Sequence, residues 1–101
     1  MSAYDADRFL HDLAGDAELR TLARTAPRQA LEAYDLTDRE RELFLRGEVG
    51  LLYRGGVNDF LLHNVQRFGL FDVDADTYSA RMRAEALTGL APDAIVTRQA
   101  P

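Results

Sequence analysis

Glycine and proline punctuate this chain so often that no long helix fits anywhere in it: Gly15, Pro27, Gly47, the pair Gly55 and Gly56, Gly69 and Gly89. Glycine readily takes the left-handed conformation that closes a helix C-terminus, and proline lacks the N–H that a helix interior needs. Between these stops, apolar residues recur at helical spacing. Ser2 and Asp5 have capping-box spacing, with Asp in the place usual for Glu or Gln, ahead of Phe9, Leu10 and Leu13. Asp16 can cap a second helix, in which Leu19, Leu22 and Ala23 share a face. Pro27 ends it and suits the first turn of a third, "PRQALEAY", which offers Leu31 and Tyr34. Thr37 and Glu40 form a capping box, Asp38 adds negative charge to that first turn, Leu43 and Phe44 face inward, and Gly47 closes the segment.

"EVGLLYRGG" reads as a fifth short helix stopped by Gly55 and Gly56. Asn58 can cap a sixth that Gly69 ends. Asp74 can cap a seventh, "ADTYSARMRAEALTG", with Tyr78, Met82 and Leu87 inward and Gly89 closing. No hairpin signal and no strongly alternating run appears. The expected fold is all-α: a compact single domain of six or seven short helices over residues 1–89, with an extended tail over 90–101 that lacks periodicity.

At 101 residues the chain suits one domain, and its 47% hydrophobic content argues against wholesale disorder. No apolar run approaches the roughly 20 residues of a membrane helix, and "MSAYDADRFL" has no apolar h-region of a secretory signal. Cysteine is absent, which removes disulfides and thiolate chemistry and fits a cytoplasmic protein. The net charge is −5, and the arginines are scattered among acidic residues. Without a basic stripe to neutralise phosphates, neither nucleic acid nor a membrane is an expected partner.

Catalytic and metal-binding patterns are each incomplete. A metal site usually draws three or more imidazole, thiolate or carboxylate ligands. Here the histidines are His11 and His63 alone, and neither has a helical i+4 histidine partner, so no metal is expected. His63 reads as a structural or interface polar group, and His11, beside Asp12, as solvent-facing. "DVDAD" at 72–76 imitates the start of a calcium loop, but Thr77 and Arg83 stand where the loop needs glycine and a bidentate glutamate. Ser2 and Ser79 lack a nucleophile-elbow context, and a chain without lysine cannot form a phosphate loop of the usual kind. Nothing assembles acid, base and electrophile, so catalysis by this chain alone is not expected.

What remains is "GGVNDFLLHNVQRFGLF", residues 55–71. Phe60, Leu61, Leu62, Val65, Phe68, Leu70 and Phe71 exceed what one face of so short a helix can bury. A helix apolar beyond one stripe is either central to a core or shared with a partner, and composition leaves both readings open.

The order of these signals carries a resemblance. "YDLTDRERELFLRGEVGLLYRGG", the apolar helix after it and the "YSARM" of the last helix together resemble the small (alpha) subunit of protocatechuate 4,5-dioxygenase, the LigA type of extradiol ring-cleavage enzyme, from about Leu10 to Ala94. The resemblance implies an all-helical, metal-free subunit in a hetero-oligomer. The catalytic large (beta) subunit would carry the non-haem Fe(II), held by two His and one Glu, and the general base. The small subunit would pack over the mouth of that site, with a catechol-type aromatic substrate at the interface. It further implies an aromatic that reaches toward the substrate from the loop after the apolar helix. Phe71 falls near that place, with Phe68 and Leu70 beside it in the lid, and Phe60, Leu61, His63 and Asn64 toward the partner. The chain is shorter at its N-terminus than the typical two-chain form, and its 56–71 segment departs from the family pattern, which leaves room for a different substrate. The alternative is a helical recognition domain of a ribosomal precursor peptide, whose C-terminal tail "LAPDAIVTRQAP" a partner enzyme would modify.

Overall fold

In the computed structural model, which describes residues 2–89, all the helices but the third end within two residues of a glycine or the proline. Seven helices and no strand occur among the described residues: α1 (Ser2–Gly15), α2 (Ala17–Thr25), α3 (Pro27–Glu32), α4 (Asp38–Leu45), α5 (Val49–Arg54), α6 (Asp59–Arg67) and α7 (Ala75–Gly89). Their starts follow the expected caps. Asp16 accepts from the amides of Glu18 and Leu19, Thr37 and Glu40 form a reciprocal capping box, and Asn58 accepts from Leu61. Asp74 accepts from the Thr77 amide at 2.7 Å, and this bond holds its carboxyl below the usual carboxylate range. Ser2 opens α1, but its side chain, that of Leu87 and the 90–101 tail lie outside the described residues.

Three helices end by one device. After α4, the amides of Gly47 and Glu48 return to the carbonyls of Phe44 and Leu43. After α5, Gly56 and Val57 return to Tyr53 and Leu52; after α6, Gly69 and Leu70 return to Gln66 and Val65. Each pair of bonds is a Schellman motif, and Gly47, Gly56 and Gly69 take the positive φ that the motif demands, at 68°, 105° and 63°. The motif also sets an apolar contact between the residue after the glycine and the last turn of its helix. Val57 with Leu52 and Leu70 with Val65 supply it, and all four are buried. The end of α1 is closed differently: the Arg20 guanidinium donates to the carbonyls of Leu13 and Ala14.

The core gathers Phe9, Leu10 and Leu13 of α1, Leu31 of α3, Phe44 of α4, Leu52 of α5, and Leu62 and Val65 of α6. Phe9 is its aromatic hub, edge-on to Phe44 at 5.3 Å and to Tyr34 at 5.2 Å between ring centroids. Contacts between α5 and α7 depend on Gly50: a Cβ there would lie 2.5 Å from the Arg81 carbonyl oxygen. Glycine is the residue that lets two backbones come this close.

The third helix is shorter than "PRQALEAY" predicts. It stops at Glu32, and Tyr34 falls in the following turn, whose bonds run from Tyr34 to Leu31 and from Leu36 to Tyr34. Released from the helix, the Tyr34 hydroxyl donates to Asp12 at 2.6 Å, under the Arg8 guanidinium. Burial and then this bond push its ionisation upward.

Candidate functional site

The apolar stretch of the sequence presents two different surfaces, one along α6 and one just past its C-terminal end. Along the helix, Leu62 and Val65 point into the core, and Phe60 points out, 80% exposed. Leu61 is intermediate and packs against the core's edge. Asn64, expected at the partner interface, is mostly buried, with an edge on the groove between α6 and α1. Its amide donates to the Leu10 carbonyl at 2.9 Å and so ties α6 to α1. A buried amide is tolerated where it is hydrogen-bonded, so Asn64 serves helix packing.

Between α1 and α6 runs a shallow groove of about 360 Å³, lined by His11, Ala14, Phe60, His63, Gln66 and Arg67, among others. The two histidines, distant in sequence, thus meet on one surface. His63 is exposed but held in place: its ring stacks on Tyr78 at 4.9 Å, and its Nδ1 accepts from the Gln66 amide at 3.0 Å. An accepting Nδ1 leaves the proton of neutral imidazole on Nε2, facing away from that bond. Arg67 lies over the Phe68 ring at 4.9 Å. Among the described residues no three His, Asp or Glu side chains converge as a metal site.

Past the end of α6 the backbone does something sequence reasoning missed. Phe71 and Asp72, neither of them glycine, take φ of 55° and 60° in succession. Left-handed backbone at non-glycine residues stores strain of about 1–3 kcal/mol each, and it persists only where the surroundings enforce it. Here they do. Leu70 is fully buried ahead of the pair, Val73 is buried behind it, and the Val73 amide bonds back to the Leu70 carbonyl at 3.0 Å. The Phe71 ring is half-buried, tilted against Phe9 and Phe44 at 6.3 and 6.0 Å. Its outer part lines an open hollow of about 330 Å³ with Arg24, Pro27, Leu45, Gly69 and Asp72.

The three expected lid residues therefore divide. Leu70 lies inside the core because the Schellman motif turns it back onto Val65, and it offers no surface to a lid. Phe68, at the C-cap of α6, is half-buried between the guanidiniums of Arg20 and Arg67, while its carbonyl accepts from Arg24 at 2.9 Å. Phe71 lines the hollow beside Pro27 and Leu45. Arg20, Arg24 and Asp72, absent from the expected site, frame this end of the helix. No sequence signal marks the arginines, since each is one scattered cation among many.

Comparison with protein-family models, with curated proteins and with solved structures finds no match for this chain. No helix among the described residues is long and apolar enough to cross a membrane.

Proposed function

We propose that this chain is a non-catalytic small subunit of a two-component extradiol ring-cleavage dioxygenase, seated over the Fe(II) site of a large subunit and helping to close its substrate pocket. The observation that carries this reading is the strained Phe71–Asp72 turn, which holds an aromatic edge at an open hollow beside Pro27 and Leu45. Strained backbone that the fold over-determines is characteristic of ligand clamps and closing elements. A lid acts through shape: it excludes water and fixes the orientation of the ring beneath it. The iron would supply the oxygen chemistry. In this reading it belongs wholly to the partner. A cytoplasmic location goes with the same reading.

The test is co-purification with an iron-bearing large subunit, followed by metal analysis and a ring-cleavage assay with protocatechuate. The complex should hold iron and cleave the ring faster than the large subunit alone, and the lone chain should do neither. Stoichiometric iron in the lone chain would overturn the reading. So would a complex whose activity is indifferent to this chain, or a mass increase confined to residues 90–101 after co-expression with a peptide-modifying enzyme.

A further inference from the structure

The groove between α1 and α6 has a charge pattern unlike that of the chain as a whole. The protein carries 17 acidic residues against 12 basic ones, yet this groove is lined by His11, His63 and Arg67 and by no carboxylate. Acids do stand nearby, outside the groove, and four of them are oriented by hydrogen bonds within the fold. Asp7 accepts from the Asn58 amide at 2.8 Å, Asp59 from the Phe60 amide at 2.9 Å, and Asp16 from the two amides it caps. Asp12 accepts the Tyr34 hydroxyl on one oxygen, and its other oxygen lies 3.6 Å from His11. Arg67, by contrast, has no ion-pair partner among the described residues, only the face of Phe68. The donors are also pre-positioned: His63 by Tyr78 and Gln66, Arg67 by its aromatic neighbour. Ordered donors lose little freedom on binding. Beside them Phe60 stands almost wholly in solvent, and the groove's roughly 360 Å³ lies near the lower limit of ligand-sized cavities.

We infer that this groove docks an acidic segment of a partner protein: one large apolar side chain sits against Phe60 and Ala14, and carboxylates within a turn of it meet Arg67 and the two imidazoles. The inference rests on reading the chain as a partner-binding subunit, though not on the partner's being a dioxygenase. Buried apolar anchors supply most of the affinity of such contacts, and charge complementarity selects the partner and its orientation.

The experiment titrates the full, unaltered chain with a synthetic amphipathic helix that carries a leucine anchor with glutamates three and four residues away, and with the same peptide bearing lysines instead. Binding is followed by backbone amide NMR shifts. The glutamate peptide should move the amides of Ala14 and of residues 61–67, and the lysine peptide should not. Arg67→Glu should weaken the glutamate peptide at least about tenfold and let the lysine peptide bind, and Phe60→Ala should weaken the glutamate peptide, as loss of an anchor does. Equal binding of the two peptides, or shifts centred on Arg24 and Pro27, would overturn the inference. So would dilution-dependent shifts at the groove without peptide, which would mark a second copy of this chain as its occupant. Acidic-peptide binding with no effect on any iron enzyme would keep the groove and remove only the dioxygenase. An active iron complex indifferent to Arg67→Glu would do the reverse.

Discussion

At the scale of single residues, the most informative position is Asp72. Its side chain is exposed, so its effect on stability acts mainly through the backbone, which sits at φ 60° directly after Phe71 at 55°. Glycine takes this conformation without steric cost, and a β-branched residue suffers most there. Asp72→Gly should therefore raise stability by about 0.5–1 kcal/mol, the strain relieved less the extra freedom of the unfolded chain. Asp72→Val should lower it by about 1–2 kcal/mol. Urea unfolding of both variants checks the pair, and equal midpoints would mean that the turn carries no strain. The sequence holds no hint of this: Asp is common in turns, and "DVDAD" reads as capping. Leu70 and Asn64 were hidden for a different reason. Composition marks them as apolar and polar respectively, whereas their burial depends on a Schellman return and on a helix crossing that only the assembled fold defines.

At the scale of elements the sequence was far more legible. Caps and glycine stops are local chemistry, and Thr37, Asn58, Asp74, Gly47 and Gly69 act where their residue types and spacing place them. Helix pairing is not local, and Gly50 is the example. In "EVGLLYRGG" it looks like a weakness in a short helix, yet it is the point where α5 meets the Arg81 backbone. Gly50→Ala should separate α5 from α7 and cost roughly 1–3 kcal/mol, the usual range for overpacking, or more if α7 cannot shift. Gly15 offers the control. It ends α1, and a Cβ added there would meet nothing within 4 Å, so Gly15→Ala should gain about 0.4–1 kcal/mol from the unfolded state. Thermal melting of the two alanine variants should move in opposite directions. A shared direction would show that glycine's propensity, and not the α5–α7 approach, governs position 50.

At the scale of the whole molecule, α6 is the member that joins everything functional here. Asn64 fixes it to α1, and the Tyr78 hydroxyl reaches the Asp59 carbonyl from α7 at 3.3 Å. Phe60 marks one end of it and Phe68 the other, and eight residues of helix separate them by about 12 Å. The anchor at Phe60 is therefore about two turns from the aromatic at the far end of α6, and although the groove reaches Arg67 beside Phe68, it shares no lining residue with the hollow at Phe71, so the two contacts should fail separately. Phe60→Asp removes the exposed apolar anchor and sets a negative charge where an acidic partner would dock. It should abolish assembly while shifting the lone chain's stability by no more than about 0.5 kcal/mol, because the ring is not in the core. Phe71→Leu keeps an apolar filler against Phe9 and Phe44 but loses the aromatic edge. It should leave the assembly constant within about threefold, a difference under 1 kcal/mol, and change KM or kcat of the assembled enzyme. Pull-down affinity and steady-state kinetics on the same two variants decide the matter. If Phe71→Leu weakens assembly as much as Phe60→Asp does, the two ends of α6 form one continuous interface, and Phe71 has no separate role over the substrate.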